Sequence, residues 1–237
     1  MNIAVVTAGG IGSRMNLDIP KQFLNVNDKP VIIYTLEAFQ KHPNIDAIIV
    51  VCLKGWQEVL KAYCKQFGIT KLKWIVDGGR NGQESIKNGL YKLREYCSDE
   101  DIILIHDGNR PLVSQDTISD CIVKCVQFGS GVAVVPCNTA IFKKGVQQGV
   151  ANQFLDRDKL VITQTPHAFY FKKLLWAHEE ANKRNILDSV ASCTLLMELG
   201  EEVHFALGSE LNIKITNIED LKIFKGILAI GNRGNII

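Results

Sequence analysis

The chain has 237 residues, 46% of them hydrophobic and 22% charged, so it can bury one substantial core. Its 27 Lys and Arg side chains nearly balance 25 Asp and Glu, and the net charge of +2 gives no general field for holding nucleic acid or an anionic membrane. We therefore expect neither nucleic acid nor a membrane as a partner, and any binding of anions has to depend on local positive charge.

The amino-terminal segment and the cysteines favour a cytoplasmic protein. The first apolar run is short and lacks a preceding basic region, and no stretch reaches the ~18 apolar residues of a membrane span. The seven cysteines form no C-x-x-C pair, which argues against a disulfide framework and against a structural zinc site.

Short β-branched runs alternate with segments of helical periodicity along the first half of the chain. The predicted strands cover residues 3–7, 45–53, 72–76, 102–105 and 131–135, and the predicted helices cover 31–42, 55–67, 83–96 and 115–128. This alternation predicts an α/β, Rossmann-like fold of three layers, with a mostly parallel sheet between helices. Ligands of such folds bind beyond the carboxyl ends of the strands.

The alternation ends near Pro136. Polar residues and a glycine-bearing turn predict a β-hairpin arm at about 137–160 that leaves the sheet. Helices at about 172–185 and 188–199, a strand pair at 203–207 and 211–216, and a closing helix from Ile218 are expected to follow. Residues 1–237 are predicted to form one domain that carries this arm.

The loop after the first strand has the composition of a phosphate cradle. Glycine backbones allow N–H groups to approach an anion closely, and nearby cations add fixed positive charge. The residues are Gly9, Gly10 and Gly12, followed by Arg14 and Lys21. The dinucleotide pattern G-x-G-x-x-G fails because Met15 occupies its last position, which disfavours an NAD-dependent oxidoreductase.

Two further loops follow predicted strands. The segment from Asp77 and Gly78 to Ser85 offers backbone groups and a hydroxyl for a pyrimidine edge, although Asp-Gly-Gly is also ordinary turn chemistry. Asp107 ends a hydrophobic strand, where a carboxylate can hold Mg²⁺ together with phosphate oxygens. Arg110 either contacts a substrate phosphate or pairs with Asp107, and a structural role is favoured for His106.

Taken in order, these segments resemble the cytidylyltransferase family that acts on 2-C-methyl-D-erythritol 4-phosphate and ribitol 5-phosphate. The similarity rests on Gly-Gly-Ile-Gly-Ser-Arg-Met with Pro-Lys-Gln, Asp-Gly-Gly to Ser85, His-Asp with Arg-Pro, Gln-Thr-Pro, and Asn-Ile-Lys-Ile-Thr around Lys214, and it extends from Ala4 to about Ile227. It implies a nucleotidyltransferase fold, CTP and a sugar-alcohol phosphate as substrates, Mg²⁺ as cofactor, and a homodimer formed through the arm.

The resemblance also assigns roles to residues. Arg14, Lys21 and Lys214 would contact the triphosphate and the transition state, and Asp107 would hold the magnesium ion. The cytosine and ribose would be surrounded by Ala8, Gly9, Asp77, Gly78 and Ser85, and Gly10, Gly12 and Asp107 are also expected to bind the nucleotide. Arg157 and Thr165 match family positions that contact the second substrate, and Arg110, Thr139 and Asp188 are further candidates for binding it.

Departures from the family pattern concentrate on the acceptor side. Gly82 stands where an arginine is frequent, Thr139-Ala140 replaces Asp-Thr, Leu187-Asp188 replaces Thr-Asp, and Asn109 replaces a small apolar residue. These changes favour ribitol 5-phosphate or a related polyol phosphate as the acceptor, with methylerythritol phosphate as the alternative. A non-enzymatic nucleotide-binding module is the more distant alternative.

Overall fold

The computed structural model describes residues 1–10 and 19–231. In chain order the elements are β1 (Asn2–Ala8), a 3-10 turn (Lys21–Phe23), β2 (Asn25–Val26), β3 (Lys29–Pro30), α1 (Val31–Lys41), β4 (Ala47–Cys52), α2 (Gln57–Gln66), β5 (Leu72–Asp77), α3 (Gly82–Leu93), β6 (Ile102–Asp107), α4 (Gln115–Phe128), β7 (Ser130–Pro136), β8 (Ile141–Lys143), β9 (Gln153–Leu155), a 3-10 turn (Arg157–Lys159), β10 (Val161–Tyr170), α5 (Phe171–Lys183), α6 (Ser192–Glu198), β11 (Phe205–Leu207) and α7 (Ile218–Gly231).

Seven strands form the central sheet in the order β11-β7-β10-β6-β1-β4-β5. β1 lies between β4 and β6 and pairs with both in parallel, and β4 pairs in parallel with β5. β10 is antiparallel to its neighbours β6 and β7. The sheet is therefore mostly parallel, as predicted, and the carboxyl ends of β1, β5 and β6 share one edge.

Alternating side chains of the sheet build an apolar cluster on each face. On β1, Ala4 and Val6 belong to the cluster covered by α1, α2 and α4, whereas Ile3 and Val5 belong to the cluster covered by α3, α5 and α6. The strand period of two sends successive side chains to opposite faces, so both faces of a central strand have to be apolar. This confirms the three-layer prediction and explains the continuous β-branched runs.

One strand of the sheet was not predicted, and one predicted strand has no strand assignment. β10 was not predicted, because buried polar residues such as Gln164, Thr165 and His167 interrupt its apolar pattern and the register shifts between Thr163 and His167. Residues 211–216, predicted as a strand, have no strand assignment.

The second carboxy-terminal helix also starts later than predicted. α6 begins at Ser192 and not near Asp188. The side chain of Gln83 donates to the carbonyl of Ile186 at 2.7 Å and accepts from the backbone N–H of Ser189 at 2.7 Å. These two bonds hold residues 186–189 in an extended loop against the start of α3.

The predicted hairpin after Pro136 is present. β8 and β9 pair with each other as a separate two-stranded sheet. Phe142 and Phe154 lie opposite each other in this pairing and are 67% and 76% exposed. The arm thus carries large apolar side chains that this chain alone leaves in water.

Within the described ranges, no helix combines the length and apolarity needed to cross a membrane.

Four histidines, including His42, are almost completely buried, and three of them have strongly lowered pKa values. His106, His167 and His178 are at most 2% exposed. Burial disfavours the charged imidazolium and lowers the pKa of each to about 4 from the usual 6.5. Neither ring nitrogen of His178 has a hydrogen-bond partner in the described part of the chain.

These histidines predict a loss of stability in mild acid. The unfolded state binds protons near pH 6.5, whereas the folded state resists protonation until about pH 4, so the free energy of unfolding should fall as the pH drops through this window. His178→Leu should remove one such group and reduce the fall. Urea denaturation at several pH values tests this, and an unchanged pH slope in His178→Leu would contradict it.

Candidate active site

A cavity of about 440 Å³ opens at the sheet edge where β1, β5 and β6 end. This size lies within the range of ligand pockets. It is lined by Thr7, Ala8, Gly9, Gly10, Lys21, Gln22, Leu53, Gly79, Arg80, Asn81, Gly82, Ser85, Asp107, Asn109 and Lys214. Segments far apart in the chain therefore meet at one place, because the parallel strands that precede the loops end together.

The floor of the cavity depends on close approach of two backbones. A Cβ added to Gly9 would lie 3.2 Å from the Cα of Gly78, and one added to Gly78 would lie 3.1 Å from the Cα of Gly9. Either contact is tighter than ordinary packing allows. The Gln22 side chain donates to the carbonyls of Ala8 at 2.8 Å and Gly10 at 3.0 Å, which fixes the start of the glycine loop.

The start of α3 forms the neighbouring wall. Asn81 caps the helix by accepting from the backbone N–H of Glu84 at 2.9 Å. The Ser85 hydroxyl accepts from the N–H of Gly79 at 2.9 Å and donates to the carbonyl of Asn81 at 2.7 Å. The loop between Gly78 and α3 is therefore held in a defined conformation with polar groups facing the cavity.

Asp107 is shared by two cations. Its Oδ2 lies 2.9 Å from Nζ of Lys214 and 3.1 Å from Nε of Arg110. Burial alone would raise the pKa of Asp107, but the charges of Lys214 and Arg110 outweigh burial and lower it to about 2. Asp107 is thus a carboxylate at neutral pH. We use "Asp107 triad" for Asp107, Arg110 and Lys214.

Buried groups behind Asp107 fix its backbone. The Thr165 hydroxyl accepts from the backbone N–H of Asp107 at 3.1 Å and lies 3.0 Å from Nδ1 of His106. Nε2 of His106 lies 3.2 Å from the carbonyl of Arg110. These contacts fit a neutral imidazole protonated on Nε2, which agrees with its lowered pKa. The predicted structural role of His106 agrees with this geometry.

Lys214 reaches the cavity from a segment that side chains hold in place. Arg110 donates to the carbonyl of Asn212 at 2.7 Å, and Asn212 donates to the carbonyl of Thr165 at 2.8 Å. The amide of Asn109 donates to the carbonyl of Ile215, whose N–H donates back to the carbonyl of Asn109 at 2.9 Å. Side-chain bonds thus replace the expected strand ladder.

The structure brings most of the predicted nucleotide and catalytic residues together. Ala8, Gly9, Gly10, Lys21, Ser85, Asp107 and Lys214 all line the cavity, and Gly78 packs against Gly9 beneath it. Asp77 ends β5 with its side chain accepting from Gln57, which directs it away from this role in the present conformation. Gly12 and Arg14 lie outside the described residues.

The predicted acceptor residues are more dispersed. Arg110 and Thr165 support Asp107 from behind and are not part of the cavity lining, and Asp188 borders a neighbouring hollow that shares Arg80 and Asn81 with the cavity. The other two lie elsewhere: Thr139 is exposed at the base of the arm, where Arg157 donates to the carbonyl of Asn138 at 3.4 Å.

Several residues that shape the cavity were not predicted. Gln22, Asn81 and Asn109 hold loops through backbone contacts, and Arg80 lines the cavity while its Nε donates to Glu84 at 2.8 Å. Gln22 lies in the Pro-Lys-Gln segment and Asn81 has the N-cap signature, so both left a signal in the sequence. The pairing of Asn109 with a segment 106 residues away leaves no signal in the sequence.

The fold and the cationic cavity define the class as a nucleotide-binding α/β enzyme. Residues 2–229 match the 2-C-methyl-D-erythritol 4-phosphate cytidylyltransferase family, and the chain belongs to that family. It is 45% identical to a ribitol-5-phosphate cytidylyltransferase of Lacticaseibacillus paracasei, over 96% of this chain and 98% of the relative.

A second relative and a crystal structure are also similar to this chain. A 2-C-methyl-D-erythritol 4-phosphate cytidylyltransferase of Clostridium botulinum is 37% identical, over 96% of this chain and 97% of the relative. The crystal structure of a 4-diphosphocytidyl-2C-methyl-D-erythritol synthase from Anaerococcus prevotii superposes with a TM-score of 0.80 at 22% identity and covers 96% of both chains. That structure supports the fold alone.

The Asp107 triad predicts unequal effects of removing its two cations. The Arg110 side chain is 12% exposed and also holds Asn212, whereas Lys214 is 40% exposed. Arg110→Ala should lower the free energy of unfolding by about 3 kcal/mol, because it removes one of the two cations from a partly buried carboxylate and leaves the carbonyl of Asn212 without its side-chain donor. Lys214→Ala should cost much less. Urea denaturation of both variants tests this, and equal losses would contradict it.

Proposed function

We propose that the chain transfers a cytidylyl group from CTP to ribitol 5-phosphate or a closely related polyol phosphate and releases pyrophosphate. The observation that carries the proposal is the meeting of Lys21, Asp107 and Lys214 with the glycine loop in one cavity. Family membership and the ribitol-5-phosphate cytidylyltransferase relative support the same reaction.

The cavity suits a nucleoside triphosphate. Its lining includes three cations, Lys21, Arg80 and Lys214, and the carboxylate of Asp107. Glycine residues contribute backbone groups to the same lining. Backbone groups near Gly78 and the hydroxyl of Ser85 provide amide-type donors and acceptors for a pyrimidine edge. Phosphates would then lie toward the lysines and the base toward the start of α3.

The chemistry needs no general base from the protein. An oxygen of the acceptor's phosphate attacks the α-phosphorus of CTP in line, the bond from that phosphorus to the β-bridging oxygen breaks, and pyrophosphate leaves. A phosphate monoester has its second pKa near ~6, so the attacking oxygen is already ionised at neutral pH. This agrees with His106, a buried histidine with a pKa of about 4 that is engaged by Thr165 and Arg110.

The barrier is mainly electrostatic. Two polyanions have to meet while negative charge grows on the bridging and leaving oxygens, so positioning and fixed cations supply the rate enhancement. Lys21 and Lys214 approach the cavity from different loops and are suited to hold the triphosphate on two sides. We assign them as catalytic residues, together with Arg14 from the same glycine loop.

Asp107 fits a magnesium ion that arrives with the nucleotide. Mg²⁺ is commonly bound through one or two carboxylates plus substrate phosphates. Asp107 is ionised, and no cluster of three potential metal ligands occurs among residues 1–10 and 19–231, which argues for a site completed by the triphosphate. Bound there, the ion would neutralise phosphate charge and orient the α-phosphate, while Lys214 would turn from Asp107 to the substrate.

These assignments separate the effects of the lysines from those of Asp107. Lys21→Ala and Lys214→Ala should each lower kcat by roughly 10²–10³ fold, as loss of one transition-state donor does, without raising the magnesium concentration needed for half activity. Asp107→Asn should raise the magnesium concentration needed for half activity. Pyrophosphate release measured across a magnesium titration tests both, and a parental midpoint in Asp107→Asn would remove the metal assignment.

The acceptor is the less constrained half of the proposal. Ribitol 5-phosphate is favoured by Thr139-Ala140 and Leu187-Asp188, where the family pattern has additional hydroxyl-bearing residues, and by the higher identity to the Lacticaseibacillus relative. Methylerythritol phosphate is favoured by the name of the matching family and by the Clostridium relative. Arg110, Thr139, Arg157, Thr165 and Asp188 are proposed to serve the acceptor, Arg110 and Thr165 through Asp107.

The function is tested by pyrophosphate release from CTP with each acceptor separately. We expect the larger kcat/KM with ribitol 5-phosphate, and identification of the CDP-polyol by mass spectrometry completes the assignment. Preference for methylerythritol phosphate would select the second candidate. Absence of pyrophosphate with every polyol phosphate, despite CTP binding, would point to a non-enzymatic nucleotide-binding module.

We also propose that two copies associate through the arm. Phe142 and Phe154 expose apolar surface that a partner could cover, and Thr139 and Arg157 at the arm's base are not part of the cavity lining of their own chain. Association would allow these residues to reach the partner's cavity.

All seven cysteines are free, and six are buried, which supports our placement of the enzyme in the reducing cytoplasm.

The arm predicts a specific dependence of oligomeric state on its aromatic residues. The double variant Phe142→Ser with Phe154→Ser should shift the protein from dimer to monomer in sedimentation velocity, because it removes the largest exposed apolar groups of the arm. Phe128→Ser, at a residue 51% exposed on α4, is the matched control and should remain dimeric. A monomeric parent protein would overturn the proposal.

A further inference from the structure

Lys214 lies on a segment that is held by individual hydrogen bonds and not by a strand ladder. Residues 211–216 have no strand assignment, and the nearest regular element, α7, begins at Ile218. The ammonium group is 40% exposed and meets Asp107 at 2.9 Å. Its placement in the cavity therefore depends on whatever fixes the backbone immediately beside it.

Asn109 fixes that backbone at Ile215. The side-chain amide donates to the carbonyl of Ile215, and the N–H of Ile215 donates to the carbonyl of Asn109 at 2.9 Å. Asn109 is 6% exposed. It comes two residues after Asp107, and Ile215 comes one residue after Lys214, so this reciprocal pair links the two partners of the ion pair through their backbones.

Other contacts hold the segment on either side of Lys214. Asp220 accepts from the backbone N–H of Thr216 at 2.7 Å and so holds the other end of the peptide group whose carbonyl Asn109 binds. Arg110 holds the carbonyl of Asn212, two residues before Lys214. The side chain of Ile215 packs in a small apolar cluster with Val26, Val31 and Phe224. Packing of that side chain is non-directional and does not orient the adjacent peptide groups, whereas two hydrogen bonds to one residue do.

We propose that Asn109 is a positioning residue that holds Lys214 in its catalytic place. The inference rests on the proposed function, because it acts through the lysine assigned to the triphosphate. Loss of the Asn109 amide leaves the buried carbonyl of Ile215 without its side-chain donor and lets the Lys214 backbone shift. A displacement of about 1 Å can cost roughly 10²-fold in rate, and a partial loss of constraint correspondingly less.

A double-mutant cycle tests the proposal. Asn109→Ala should lower kcat roughly 10-fold with little change in the KM for CTP, because the Lys214 cation would be displaced but still present. In a Lys214→Ala background the same substitution should cause no further loss, because the group it positions is gone. Asn109→Ser serves as a second variant if Asn109→Ala does not fold.

Gln40→Ala is the matched control. Its side chain also holds a distant backbone, accepting from the N–H of Lys71 at 2.8 Å, but it lies on α1 away from the cavity lining. It should lower stability without changing kcat. Parental kcat in Asn109→Ala, or full multiplicative loss in the double variant, would overturn the inference. A parent protein that releases no pyrophosphate would instead refute the proposed function.

Discussion

The shared carboxylate of Asp107 is the interaction on which the site depends. One oxygen meets both Lys214 and Arg110, so a single anion holds two cations of different accessibility. Arg110 is tied to Asn212 as well and belongs to the framework, whereas Lys214 faces the cavity. Of the two cations, Lys214 is therefore the one that a ligand in the cavity would meet.

A chain of hydrogen bonds connects the buried polar groups behind Asp107. Thr165 holds the N–H of Asp107 and the ring of His106, and His106 reaches the carbonyl of Arg110. These bonds connect β10 with the end of β6, and burial keeps the histidine neutral. Thr165 lies on an antiparallel strand between parallel neighbours, so the insertion of β10 brings the support into place.

The sequence predicted the parts of this arrangement that repeat locally. Apolar runs located β1, β4, β5, β6 and β7, and the residues that follow them supplied the glycine loop, Ser85 and Asp107. β10 was missed because its buried polar residues support the site and so break the apolar pattern that marks a strand. Lys214 was assigned by resemblance, and its true support, Asn109, could not be predicted because it pairs across 106 residues.

Under the proposed assignments, most acceptor residues lie apart from the nucleotide residues. The nucleotide side is one compact cavity formed by three strand ends, whereas Thr139 and Arg157 lie on the arm and Asp188 lies on the loop that Gln83 holds. Loops and arms tolerate substitution more readily than a floor where Gly9 and Gly78 approach to van der Waals contact. Acceptor preference can therefore change while the triphosphate site stays fixed, which accounts for relatives named for two acceptors within one family.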